Sequence, residues 1–200
     1  MANLILVRHG ESEWNAKELW TGWTDIGLSE KGKEQARQVG EKLKGMRLDF
    51  AYTSILIRTK QTLNEIKSVL GVDMPTFEDK ALNEKNYGIY TGKDKWEIKK
   101  EIGDEMFLKI RRSWDYQIPK GESLKQVYER VVPYYEREIL PKIKVGSNII
   151  IVASDNSLRA LVKHLENISD SEIPKLELKV GEVDIFEIDD NGNVTSKNIL

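Results

Sequence analysis

Four consecutive aliphatic residues, Leu4-Ile5-Leu6-Val7, run straight into Arg8-His9-Gly10, and this stretch constrains the fold more than any other. An apolar run with no polar alternation suits a central parallel strand covered on both faces. A second such run, Asn148 to Ala153, ends in Ser154-Asp155-Asn156-Ser157. Strand-like and helical segments alternate between and beyond these runs. The expected architecture is therefore α/β: a three-layer sandwich with a mostly parallel central sheet and helices on both faces. Polar residues just past the carboxyl ends of such strands stand where open α/β sheets hold their ligands.

Taken in order, Ser29 is the expected N-cap of a helix reaching about Lys44, before Gly45. Asp49 to Thr53 reads as a strand, and Ser54 as the cap of a helix that carries Arg58 and stops at Gly71. A third strand near Thr76 to Leu82 leads into the loop Asn83 to Gly88. Trp96 to Ile110 reads as helical despite Gly103 and ends in Arg111-Arg112. Ser123 and Gln126 form a capping box for a helix expected to kink at Pro133 and end near Ile143. Leu158 to Glu166 is expected to be helical, and Ser169 to cap a short helix with Glu172. Asp184 to Ile188 and Val194 to Ile199 form a hairpin about Asn191-Gly192, adding an antiparallel edge. No internal repeat or linker divides the chain, so a single domain over 1–200 is expected.

Charge and composition narrow the function. Lys and Arg number 31 against 33 Asp and Glu, a net charge of −2, which gives no case for a nucleic-acid or membrane partner. There is no cysteine and there are two histidines, His9 and His164, which excludes disulfides, thiolate chemistry and a zinc-thiolate site and argues against any metal. No apolar run could span a bilayer and no signal-peptide pattern opens the chain, so the expected location is cytoplasmic. His164 reads as an ordinary helix residue, and Trp14, Trp20 and Trp23 as wall and core.

Four loop clusters converge on one end of the predicted sheet: Arg8-His9, Arg58, Glu84 with Tyr87, and the Ser154 to Ser157 turn, with Arg111 and Arg112 as further candidates. Guanidinium groups around a histidine, in a chain without net positive charge, point to a compact anionic ligand bound in two places at once. Helix N-termini at Ser54 and Asn156 favour phosphate. A histidine so placed can accept a phosphoryl group, and Glu84 can move protons for the attacking or leaving oxygen.

The run Leu6-Val7-Arg8-His9-Gly10-Glu11-Ser12-Glu13-Trp14-Asn15 resembles the signature of the histidine phosphatase superfamily, and more narrowly that of the 2,3-bisphosphoglycerate-dependent phosphoglycerate mutases. Thr21-Gly22-Trp23, Leu28 to Gly32, Tyr52-Thr53-Ser54 with Arg58, Leu82-Asn83-Glu84 with Tyr87-Gly88, Arg111-Arg112-Ser113, Glu122-Ser123-Leu124 and Asn156 to Ala160 extend the match along almost the whole chain. The resemblance implies that His9 is the phosphorylated nucleophile and Glu84 the acid/base. Arg8 and Arg58 would hold the transferred group, with Asn15 beside it. Ser12, Thr21, Gly22, Tyr87, Lys95, Arg111, Arg112 and Asn156 would hold the substrate's other phosphate and its carboxylate. It further implies interconversion of 3-phosphoglycerate and 2-phosphoglycerate, 2,3-bisphosphoglycerate as the priming cofactor, no metal ion, and a homodimer or a monomer.

The chain departs from the family in its second signature, Ala-His-Gly-Asn-Ser, which here reads Ala153-Ser154-Asp155-Asn156-Ser157. Ser154 replaces the second catalytic histidine, which implies lost transition-state charge stabilisation, and Asp155 adds a carboxylate beside the phosphate site. Val180-Gly181 stands where a Thr-Gly pair is usual. The expected function is thus mutase-type phosphoryl transfer, impaired or absent. The alternatives are a non-catalytic binding protein for phosphorylated metabolites and a slow phosphatase of broad specificity.

Overall fold

The computed structural model describes residues 1–200. Six strands form one sheet in the order β3-β2-β4-β1-β5-β6. They are β1 (Ala2–Arg8), β2 (Phe50–Thr53), β3 (Thr76–Glu78), β4 (Ile149–Ala153), β5 (Val183–Ile188) and β6 (Val194–Ile199). The first four are mutually parallel, whereas β5 and β6 run antiparallel, as the hairpin signal at Asn191-Gly192 predicts. The two all-apolar runs are the adjacent central strands, paired from Leu4 opposite Ile149 to Arg8 opposite Ala153.

The alternation of side chains along β1 and β4 divides the core in two. Leu4, Leu6, Ile149 and Ile151 face one way. There they pack against α5 (Leu124–Tyr134) and α7 (Asp155–Leu165). Ile5, Val7, Ile150 and Val152 face the other way. They meet Val39 of α2 (Glu30–Lys42) with Leu63 and Ile66 of α3 (Ile57–Leu70). Helices on both faces of a mostly parallel sheet are the architecture expected. The chain leaves β1 toward α2 and α3 on one face and leaves β4 into α7 on the other. The crevice between the ends of β1 and β4 is therefore the topological switch point, and it holds His9 and Ser154.

Local rules account for several boundaries. Ser29 caps α2 by accepting from the Gly32 amide, and Ser123 and Gln126 form the expected capping box on α5. A short α1 (Glu13–Ala16) precedes α2, and α4 (Lys95–Arg112) precedes α5; α4 is broken at Gly103, whose φ of 82° no helix interior accommodates.

Four expectations need correction. Ser54 does not cap α3, which starts at Ile57; its hydroxyl instead accepts from the Leu56 amide and pairs with Thr59. The third strand stops at Glu78, because Asp79 accepts from the Ala81 amide and starts a 3-10 turn over Lys80–Leu82. The helix expected from Leu158 begins at Asp155, directly after the strand. The bend expected at Pro133 becomes a π-helical turn over Tyr135–Ile139, feeding α6 (Leu140–Lys144).

Gly10 and Gly32 are fixed by crowding. A Cβ at Gly10 would overlap the Gly32 carbonyl, and one at Gly32 would overlap the Glu11 carbonyl. The start of α2 therefore presses backbone to backbone on the turn that presents His9. Gly32→Ala should lower unfolding stability by about 1–3 kcal/mol, read from the urea midpoint. An unchanged midpoint would show that the contact yields freely.

Candidate active site

His9 follows the last residue of β1, and its amide donates to the Ala153 carbonyl, extending the β1–β4 pairing by one bond. The ring is buried. Its Nδ1 lies 2.6 Å from the Gly10 carbonyl, an acceptor only, so Nδ1 carries the proton. Nε2 is then the lone-pair nitrogen, and it accepts from Arg58 Nε at 3.2 Å. Burial, followed by the Arg58 charge, holds the imidazole pKa well below its usual 6.5. The neutral tautomer with its lone pair on Nε2 is the form a nucleophile needs.

Arg58 sits in the first turn of α3 and is itself buried. Its terminal nitrogens donate to the Gly22 carbonyl at 2.8 Å and the Thr24 carbonyl at 3.1 Å, tying the Thr21–Asp25 loop over the site. Thr62, one turn further along α3, accepts from the Gly10 amide and donates to the Arg58 carbonyl. This helix thus sets both the histidine turn and the arginine.

Glu84 faces them from the loop after the 3-10 turn. Its carbonyl accepts from Trp23 Nε1 and from Arg130, which also forms an ion pair with Glu122. Its Oε1 accepts from the Lys85 amide at 2.6 Å, the Asn156 amide at 3.3 Å and Asn156 Nδ2 at 2.9 Å. Three donors converge on Oε1, which leaves Oε2 as the oxygen free to carry a proton. Asn156 Nδ2 also donates to the Tyr87 hydroxyl, while its Oδ1 accepts from the buried Arg159. Burial, then the Glu84 charge, pushes the Tyr87 phenol far up, so it stays neutral.

One cleft is lined by Arg8, His9, Asn15, Thr21, Gly22, Arg58, Glu84, Tyr87, Lys95, Arg111 and Arg112, together with Leu19, Trp20 and Asp155. The sequence candidates therefore meet in one place, with two qualifications. Ser12 lies outside the lining: it is fully buried, and its hydroxyl caps α1 by accepting from the Asn15 amide. Asn156 stands behind Glu84 and Tyr87 and orients them. Two residues the sequence reading passed over belong to the same constellation. Lys85 is buried, its Nζ donates to the Ile110 carbonyl at 2.7 Å, and it lies 5.1 Å from the centre of the Tyr87 ring. Arg159 ties Asn156 to the Ile173 carbonyl.

Ser154 opens α7 without a side-chain cap bond. Its hydroxyl is buried with no hydrogen-bond partner. Asp155 lines the cleft, and its Oδ1 lies 3.4 Å from an Arg8 nitrogen that also donates to the Leu178 carbonyl. His164 is remote, beside Tyr128 and Glu136. A larger groove of about 690 Å³ between Leu108, Trp114 and Pro174 shares only Arg112 with the cleft. No group of three or more His, Cys, Asp or Glu side chains is placed to hold a metal ion, and no helix is long and apolar enough to cross a membrane.

Comparison with solved structures places the fold. The chain superposes on an alpha-ribazole phosphatase from Shigella flexneri with a TM-score of 0.79 at 24% identity, covering 93% of this chain and 90% of that one. It superposes on a mycobacterial glucosyl-3-phosphoglycerate phosphatase with a TM-score of 0.78 at 23% identity, covering 93% and 92%. Sequence relatives are nearer. A protein from Parvibaculum lavamentivorans, named a 2,3-bisphosphoglycerate-dependent phosphoglycerate mutase, is 44% identical over 98% of this chain and 95% of its own length. One of the same name from Chelativorans sp. is 46% identical over 98% and 97%. The family model of the histidine phosphatase superfamily, branch 1, matches residues 4–198. The chain belongs to the histidine phosphatase superfamily, within the family of the 2,3-bisphosphoglycerate-dependent phosphoglycerate mutases.

Proposed function

We propose that this chain performs mutase-type phosphoryl transfer between 3-phosphoglycerate and 2-phosphoglycerate through His9, at a rate limited by Ser154 and Asp155. The observation that carries the reading is the opposed pair in one cleft: a neutral His9 with its Nε2 lone pair available, and a Glu84 carboxyl with Oε2 free. A binding protein would have no use for a proton-carrying oxygen held opposite a nucleophilic nitrogen.

In the step proposed, the free hydroxyl of the substrate attacks the phosphorus carried on His9 Nε2, gives its proton to Glu84 Oε2, and the N–P bond breaks. In the return step His9 Nε2 bonds to the phosphorus at the other position as its bond to the ester oxygen breaks. Glu84 Oε2 gives the proton back to that departing oxygen, which leaves as a hydroxyl. Arg58 hands its Nε–H from Nε2 to an incoming phosphoryl oxygen, at no loss of hydrogen bonding. The Gly10 carbonyl keeps Nδ1 protonated and the ring oriented throughout.

A cofactor that primes His9 must be a polyanion, and the cleft offers it cationic donors together with an opposing charge, Asp155. Five cationic side chains line it against two carboxylates, and the Arg8 Nε and Thr21 hydroxyl are buried without partners. When bound, 2,3-bisphosphoglycerate would supply the phosphoryl group, with Arg8, Arg58, Arg111 and Arg112 as the residues that would hold it.

Glu84→Gln keeps the size and the acceptor at Oε1 but cannot transfer a proton. It should lower the isomerisation rate by about two to four decades while leaving the KM for 3-phosphoglycerate within about threefold. A rate within tenfold of the parent would remove Glu84 from proton transfer. The reading as a whole is tested by following His9 phosphorylation, phosphate release and isomer exchange together after mixing with 2,3-bisphosphoglycerate. Isomer exchange supports mutase action, and phosphate release alone shows a phosphatase. Ligand affinity without phosphorylation shows a binding protein.

A further inference from the structure

Of the five cations that line the cleft, four are already committed within the chain. Arg58 holds the Gly22 and Thr24 carbonyls and His9. Lys95 pairs with Glu18 at 3.2 Å, and Arg112 donates to the Leu176 carbonyl and to Glu177. Arg8 is shared between the Leu178 carbonyl and Asp155. Arg111 alone makes no hydrogen bond or ion pair through its side chain, and its guanidinium rests 5.5 Å from the centre of the Phe107 ring.

Asp155 is the distinctive member of this wall. It occupies the first helical position of α7, where the helix dipole favours a carboxylate. Its side chain is only 19% exposed, and its Oδ1 has an ion-pair contact with Arg8 but no hydrogen-bond donor. It lines the cleft together with His9, Glu84 and Arg111, and its Oδ1 is buried, so it faces the constellation rather than solvent. The family signature has glycine here, which brings no charge.

We propose that Asp155 is a specificity-determining residue that sets this cleft for monophosphorylated hydroxy acids and against bisphosphorylated ones. The proposal rests on the reading of the cleft as a phosphoglycerate site. A monophosphorylated hydroxy acid brings one phosphate and one carboxylate, which the His9–Arg58 end and the uncommitted Arg111 can receive. A second phosphate finds no guanidinium outside an existing contact, because Arg8, which has an unpaired Nε, is held by the Leu178 carbonyl and Asp155. It must take Arg8 from Asp155 and then lie beside an unpaired carboxylate in a site that screens charge poorly. In the unphosphorylated protein the penalty therefore falls on the third anionic group, and so on the priming cofactor more than on the substrate. The limit that Asp155 places on the rate is then a limit on loading His9, whereas Ser154 acts on the transfer itself.

Dissociation constants for 3-phosphoglycerate and 2,3-bisphosphoglycerate, measured by calorimetry in the His9→Gln background, which takes up no phosphate, with Asp155 kept, Asp155→Asn and Asp155→Gly, test the idea. Both variants should bind 2,3-bisphosphoglycerate about tenfold tighter or more, with the constant for 3-phosphoglycerate changing by less than about threefold. The asparagine variant is nearly isosteric and carries the test should the glycine variant fold poorly. Equal tightening of both ligands, or none, overturns the role of Asp155 alone. If neither ligand binds any of the three proteins, the phosphoglycerate reading falls with it.

Discussion

The double replacement Ser154→His with Asp155→Gly raises the rate of isomer exchange by about two to three decades. The transferring group sits between β1 and β4, and the atoms that can stabilise its growing equatorial charge come from both strand ends. From β1 come His9 and Arg8; from β4 comes only a buried serine hydroxyl with no partner. A hydroxyl can donate a hydrogen bond, but it brings no positive charge, and a preorganised donor at such a position is worth about 2.7–4 kcal/mol. His164 cannot substitute, since it lies in the last turn of α7, beside Tyr128 and Glu136. Ser154→His alone should raise kcat, and Asp155→Gly alone should act on loading of His9. A gain below about tenfold in the double variant would contradict the account of this signature.

The second large effect is on stability. Lys85 is buried beside Tyr87, and burial lowers its pKa from 10.5 to about 7. In the unfolded chain the same amine titrates at 10.5, so between these values the unfolded state binds the extra proton. Stability therefore falls as pH drops through this window and levels off below about 7. The full penalty is on the order of 5 kcal/mol, accumulating at about 1.4 kcal/mol per pH unit. Lys85→Met abolishes this term and fills the same space. The difference in unfolding free energy between Lys85→Met and the parent should grow as pH is lowered across the window, read from urea melts. A difference that does not change with pH would show that the amine keeps its charge hydrated in the fold. The cost is offset by what the residue ties together: it joins the Glu84–Tyr87 loop to the end of α4, which carries Arg111 and Arg112.

The legibility of the sequence varied with the range of the forces involved. The central strands were readable because Leu4 to Val7 and Ile149 to Ala153 are buried on both faces and carry no alternation. The hairpin was readable from Asn191-Gly192. Helix starts at Ile57 and Asp155 were misplaced by a few residues: Ser54 bonds the Leu56 amide and Thr59 instead of capping α3, and α7 begins directly after β4 with Ser154 making no cap bond. In the cleft, Arg8, His9, Arg58, Glu84, Tyr87 and Arg111 followed from their motifs. Ser12 did not, since a signature residue can earn its place by capping a turn. Lys85 and Arg159 were hidden for a different reason. A charged residue in a loop or on a helix reads as solvated unless the tertiary fold closes over it, and only the approach of Ile110, Tyr87 and Ile173 does so here.

The central claim is that His9 is a working phosphoryl acceptor despite the altered β4 turn. Its most direct measurement is the site and acid stability of phosphate on the protein after rapid mixing with 2,3-bisphosphoglycerate, read by mass spectrometry of the quenched chain and its peptides. Acid-labile phosphate on the peptide bearing His9, absent in His9→Gln, is the predicted result. Tight ligand binding with His9 left unmodified at every time point would contradict it.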